Sequence, residues 1–136
     1  MRKIFVLVVC CLCLCGCGND EQITICNYYN NEFPDDKHKI TIKHINNEIT
    51  YYKNEYETVY ETITEAEQEM KEHLKYLTCT DNICYAPIEG ENGWKYTISR
   101  SNKTVFLTQE TNNYEKPYID EIKYLESLTN YECEEK

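Results

Sequence analysis

The amino end of this chain limits what the rest can fold into, because its first sixteen residues are set apart for another purpose. Arg2 and Lys3 form a short basic head, and Ile4 to Cys15 follow as an uncharged, almost wholly apolar run. Gly16 then supplies a small residue before Cys17. A basic head, a short apolar run and a small-residue cut site describe an export signal that is removed. The run is too short to span a bilayer, which takes about 20 apolar residues. Residues 1–16 are therefore expected to be a signal peptide, leaving 120 of the 136 residues to fold. That length suits one domain with one modest core.

What separates this leader from a plain secretory signal is the cysteine at the cut. Cys10, Cys11, Cys13 and Cys15 follow Val9, Cys10, Leu12 and Leu14, and only Cys17 follows a glycine. A peptidase pocket that admits only a small side chain before the cut selects Cys17. Leu14-Cys15-Gly16-Cys17 looks like a bacterial lipobox, in which the Cys17 sulfur carries a diacylglyceryl group. Two or more acyl chains anchor a protein durably where one binds only marginally. The expected location is the extracytoplasmic face of the cell membrane, held by lipid on Cys17, with residues 17–22 as a polar lipidated tether. The competing readings are an uncleaved apolar anchor or an ordinary signal cut nearby.

Charge narrows the partners. Losing Arg2 and Lys3 takes the formal net charge from −10 to −12. So acidic a body is repelled by phosphate backbones, which argues against nucleic acid as a partner. Anionic lipid repels it too, so attachment to the membrane must come from the anchor.

Cysteine points to the compartment. Of nine cysteines, Cys26, Cys79, Cys84 and Cys133 remain beyond Cys17. An even number in a small exported domain argues for disulfides. Four cysteines allow three pairings, and sequence alone cannot select among them. Cys79 and Cys84 enclose only Thr-Asp-Asn-Ile, so local closure favours that pair, leaving Cys26 with Cys133 by elimination. Four free thiols are the competing outcome.

Along the chain, residues 23–133 read as a single α+β domain. Ile23 to Tyr29 alternates as a strand, and the Pro34-containing stretch from Asn30 to Lys37 is a loop. Lys39 to Ile45 and Glu48 to Glu57 flank Asn46-Asn47, a hairpin signal because asparagine tolerates positive φ. Thr50, Tyr52, Asn54, Tyr56, Thr58 and Tyr60 share one face of the second run, as period two requires of a half-buried sheet. Thr64 with Glu67 matches a capping box, opening a helix to about Leu77 with Ala66, Met70, Leu74 and Leu77 on its apolar side. Asp81-Asn82 and Glu89 to Gly93 are turn and loop. Lys95 to Gln109 forms a second hairpin around Ser101-Asn102. Pro117 suits the first position of a last helix, whose stripe is Tyr118, Ile119, Ile122, Leu125 and Leu128. The tail Asn130 to Lys136 is acidic and polar. Together these describe an antiparallel sheet built from hairpins with two helices packed on one face.

No chemistry-bearing constellation stands out. His38, His44 and His73 are scattered through loop, strand and helix, and zinc on His73, Cys79 and Cys84 would need a fourth ligand and reduced thiols. Asp35-Asp36 and Asp81-Asn82 lack the oxygen-ligand spacing of a calcium loop. Asn102-Lys103-Thr104 matches a glycosylation sequon, a chance match in a bacterial lipoprotein. Ser99, Ser101 and Ser127 lie outside any nucleophile elbow, and the four glycines form no phosphate loop. No catalytic residue, cofactor site or metal site is assigned. The 13 tyrosines are read mainly as a small domain's way of burying area with hydroxyls near water.

The lipobox, the Lys39-to-Glu57 hairpin, the Glu65-to-Tyr76 helix, the Lys95-to-Gln109 hairpin and the closing helix resemble the YehR-like family of small bacterial lipoproteins. The resemblance lies in the order of elements, covers most of the exported chain, and supplies no catalytic residues. The expected function is that of a lipid-anchored binding or accessory protein of the cell envelope, acting on an unknown protein or envelope ligand. The alternative is an envelope-anchored inhibitor of a hydrolase.

Overall fold

A computed structural model describes residues 20–80, 83–85 and 93–136. The leader, Cys17, most of the tether, Asp81-Asn82 and residues 89–92 of the expected loop lie outside that range. Among the described residues there are eight strands: β1 (Gln22–Tyr28), β2 (Lys37–Ile45), β3 (Glu48–Val59), β4 (Thr78–Thr80), β5 (Ile83–Tyr85), β6 (Lys95–Ser101), β7 (Thr104–Thr111) and β8 (Tyr131–Glu135). Helices α1 (Ile63–Lys75) and α2 (Tyr118–Ser127) interrupt them. All strands join one sheet in the order β4-β5-β6-β7-β3-β2-β1-β8, each pair antiparallel. This is an α+β fold on an antiparallel sheet.

The helices are the two long connections. After β3, α1 carries the chain to the edge strand β4, and the meander β4 to β7 returns to pair with β3. After β7, α2 carries it to the opposite edge, where β8 pairs with β1. Asparagine makes both hairpin turns: Asn46 has φ 55° and Asn102 φ 54°.

Register sorts the side chains. Thr24, Ile42, Tyr52 and Thr111 are aligned across four strands, and Cys26, Ile40, Asn54, Gln109 and Tyr96 across five. Buried Cys26, Ile40, Ile42, Ile49 and Tyr52 form one cluster with Leu125 of α2. Ile98 and Val105 form another with Ala66 of α1, joined by Met70, Leu74 and Leu107. The opposite parity carries ion pairs, Lys37–Glu57 at 3.1 Å, Lys39–Glu55 at 3.3 Å and Lys53–Glu55 at 2.8 Å. That is the wet side which the period of two requires.

The structure corrects several local expectations. Thr50 does not share the Tyr52 face, because the β2–β3 register slips between Lys43 and His44. Ile49 takes the buried position opposite His44, while Thr50 donates to Glu21 Oε1 at 2.8 Å. A bulge of this kind reverses the alternation beyond it. The capping box is Thr62 with Glu65, two residues before the expected one. Thr62 Oγ1 accepts the Glu65 N–H at 3.2 Å, and Glu65 Oε2 accepts the Thr62 N–H at 3.1 Å. Pro117 is the cap of α2 and not its first residue. Its side chain cannot cap, so Asn47 of the β2–β3 turn does the work: its carbonyl accepts the Tyr118 N–H at 3.0 Å and its Oδ1 the Ile119 N–H at 2.9 Å. Within the α2 stripe, Ile119 is 46% exposed and Glu121 takes an inward position.

The acidic tail forms a strand. Only Tyr131 and Cys133 of β8 are apolar, as suits an edge strand whose glutamates discourage further pairing. Cys26 and Cys133 occupy directly paired positions, bonded with α-carbons 4.0 Å apart. Cys79 and Cys84 are likewise paired and bonded across β4–β5, two short strands where the sequence showed only a turn.

Candidate functional site

A cleft of about 340 Å³ opens between α2 and the sheet. Strand alternation sets its floor: Tyr52, Asn54 and Tyr56 come from β3, His38 and Ile40 from β2, and Gln109 from β7. Helical spacing sets one wall, with Glu121, Tyr124, Leu125 and Leu128 at i, i+3, i+4 and i+7. Trp94, Tyr114 and Tyr131 complete it from the segments before β6, before α2 and from β8.

The rings hold one another in two groups. Tyr52 stacks on Tyr114 with centroids 4.2 Å apart and planes 8° from parallel, and Trp94 meets both edge-on at 6.1 and 6.2 Å. His38 stacks on Tyr56 at 4.0 Å and meets Tyr131 edge-on at 5.5 Å. Such pairs contribute about 0.5–1.5 kcal/mol beyond their area burial.

Hydrogen bonds orient the polar groups. His38 Nε2 lies 3.3 Å from Asn54 Oδ1, an acceptor, so this nitrogen donates and Nδ1 accepts the Tyr131 O–H at 2.6 Å. That neutral tautomer agrees with a His38 pKa lowered by burial, against which the Asn54 contact works more weakly. Burial, followed by neighbouring phenols, pushes the Tyr131 hydroxyl up to about 12. Glu121 is 2% exposed and accepts the Tyr52 O–H at 2.9 Å. Burial first, then the Glu121 charge, raises the pKa of both Tyr52 and Tyr114. Lys116 Nζ lies 2.9 Å from Glu121 Oε2, an ion pair whose angle is not that of a hydrogen bond, and 4.5 Å from the Tyr124 ring centre. The one carboxylate of the cleft is therefore neutralised in place.

Tyr52→Phe removes the hydroxyl given to Glu121 Oε1 without changing ring packing. It is expected to cost about 1–3 kcal/mol, the penalty of leaving a buried acceptor unmatched. A urea midpoint indistinguishable from the parent's would contradict this account of Glu121.

A smaller hollow of about 260 Å³ adjoins the cleft, sharing Tyr56 and Gln109 with it and bounded by Glu69 and His73 of α1. His73 is partly exposed and pairs with Glu69 at 3.3 Å, as a rim residue. A wider groove of about 760 Å³ lies under the β1–β2 loop, where Lys37, Lys39, Glu55 and Glu57 of its lining are already ion-paired. Zinc on His73, Cys79 and Cys84 is ruled out by the Cys79–Cys84 bond. Asp36 serves the fold, its Oδ1 accepting the Val59 N–H at 2.9 Å. The four disulfide cysteines brace the two edges of the sheet and stand outside the cleft.

Sequence reasoning missed Glu121. Its signal was present: a carboxylate four residues before Leu125 and three after Tyr118, within an apolar stripe. Among the described residues no group of three His, Cys, Asp or Glu side chains converges as metal ligands would. Compared with known proteins, the chain matches no family model, no curated protein and no solved structure.

Proposed function

We propose that this chain is a lipid-anchored protein of the extracytoplasmic face of a bacterial cell membrane, which binds a small envelope ligand in the α2 cleft. The observation that carries the binding role is the cleft itself, concave, ring-lined and furnished with a few convergent polar groups. The Leu14-to-Cys17 pattern supports the anchor, and two disulfides suit the compartment outside the cytoplasm. The order hairpin, helix, hairpin, helix supports kinship with the YehR-like family. We also infer that both helices lie on one sheet face. Ile98 and Leu107 near α1, and Ile40 and Tyr52 near α2, fall on the same parity of the ladder. Membrane attachment rests on lipid, and no helix among the described residues is long and apolar enough to cross a bilayer.

One observation favours the second reading, an inhibitor of a hydrolase. The β1–β2 loop presents Tyr29 and Phe33, 55% and 59% exposed, with Asn30 Oδ1 accepting the Glu32 and Phe33 N–H groups to hold its shape. Recovery of a hydrolase as the sole partner of the exported protein, lost in Phe33→Ala, favours that alternative. The anchor has its own test. Cys17→Ala is expected to abolish incorporation of a labelled fatty acid while leaving both disulfides intact, and label persisting on that variant would exclude Cys17 as the lipid site.

A further inference from the structure

The charge state and hydrogen-bond inventory of the cleft restrict what it can hold. Its carboxylate, Glu121, is matched by Lys116 and Tyr52, and its imidazole, His38, is spent between Tyr131 and Asn54. No charge remains to receive an ion, and a charged group taken out of water without a counter-charge costs several kcal/mol. A purely apolar guest fails for the opposite reason. Asn54 and Gln109 are directly paired across β3 and β7, so their side chains stand together on the floor. Asn54 gives its oxygen to His38, which leaves its NH2 group; the Gln109 amide has no partner among the described residues. Covering these amides with hydrocarbon would strip them of water with nothing in return.

What remains is a neutral molecule with an apolar face and a polar edge. We infer that the cleft takes one neutral sugar ring, its C–H face against the side chains of Trp94, Tyr114 and Tyr56 and its hydroxyls bonded to Asn54 and Gln109. At about 340 Å³ the cleft stands near the low end of the range of about 300–1,000 Å³ for small-molecule sites, which suits one ring and not a long chain. This inference rests on the binding role proposed above and specifies the class of ligand.

Trp94 makes the test direct, since it is the sole tryptophan and lines the cleft. Protein produced from the full-length chain is titrated with neutral sugars (glucose, galactose, mannose, N-acetylglucosamine), with choline, with glucuronate and with a short alkyl alcohol, following Trp94 emission. A saturable change with at least one neutral sugar is expected. Gln109→Met, which keeps length but removes the amide, is expected to raise that Kd about tenfold or more. Asn54→Asp, which keeps the oxygen for His38 and removes the NH2 donors, is expected to do the same; native thermal midpoints in either variant make it a fair test. Saturation by choline, glucuronate or the alcohol alone overturns the sugar but keeps the binding role. Silence with every probe overturns both, and unchanged affinity in a folded variant overturns the amide contacts and with them the sugar.

Discussion

Cys26→Ala combined with Cys133→Ala is expected to lower the unfolding free energy by about 4–5 kcal/mol, the value that chain entropy assigns to a closed loop of roughly 100 residues. The bridge spans 107 positions and ties the first strand to the last. Removing it frees the denatured chain and unpins β8, an edge strand with little apolar area of its own. The Cys79–Cys84 bridge spans only 5 positions, and the same relation gives it about 2 kcal/mol. Urea unfolding of the two double-alanine variants therefore separates the bridges. Equal midpoints would show that the long bridge does not constrain the unfolded chain as its span requires.

The second large effect lies beneath α2. Ile42 is fully buried on the interior strand β2, between Thr24 of β1 and Tyr52 of β3. Ile42→Ala is expected to cost about 2–5 kcal/mol, because a packed site cannot collapse around the lost methyl groups. Leu74 of α1 is only partly buried, so Leu74→Ala belongs at the low end of that span or beneath it. A Leu74→Ala loss matching that of Ile42→Ala would place the main core under α1 instead. Sequence periodicity made Leu74 as central as any residue, since spacing identifies the inward side of a helix but not how much sheet lies beneath it.

Legibility follows the range of the interactions. Both asparagine hairpins were readable because a two-residue turn and its flanking alternation are local, although the second turn is Asn102-Lys103, one residue beyond the expected Ser101-Asn102. The α1 apolar side was readable for the same reason, although its start was misplaced by two residues where Thr62 and Thr64 each precede a glutamate by three. β8 was not readable. Its pattern is mostly charge, and it becomes a strand only because β1, over 100 residues away, supplies a ladder and a cysteine. The Thr50 bulge was hidden likewise, since it is a property of two strands together. As for the cleft, tyrosine abundance announced its material but not its place. Glu121 draws its partners from β3 and the segment before α2, a meeting that only the folded chain arranges.

The pairing of β1 with β8 has a mechanical side. The Lys136 N–H bonds to the Ile23 carbonyl at 2.8 Å, so the two ends of the folded chain lie side by side, and the Cys26–Cys133 bond stands three residues further in. Tension applied between those ends runs from residue 22 to Cys26, crosses the sulfur bridge and leaves through residues 133–136. The intervening chain carries none of it. A stretched molecule would lengthen by only the few residues outside the bridge, with its cleft undeformed, until a reductant cut the bond and released the hidden length at once.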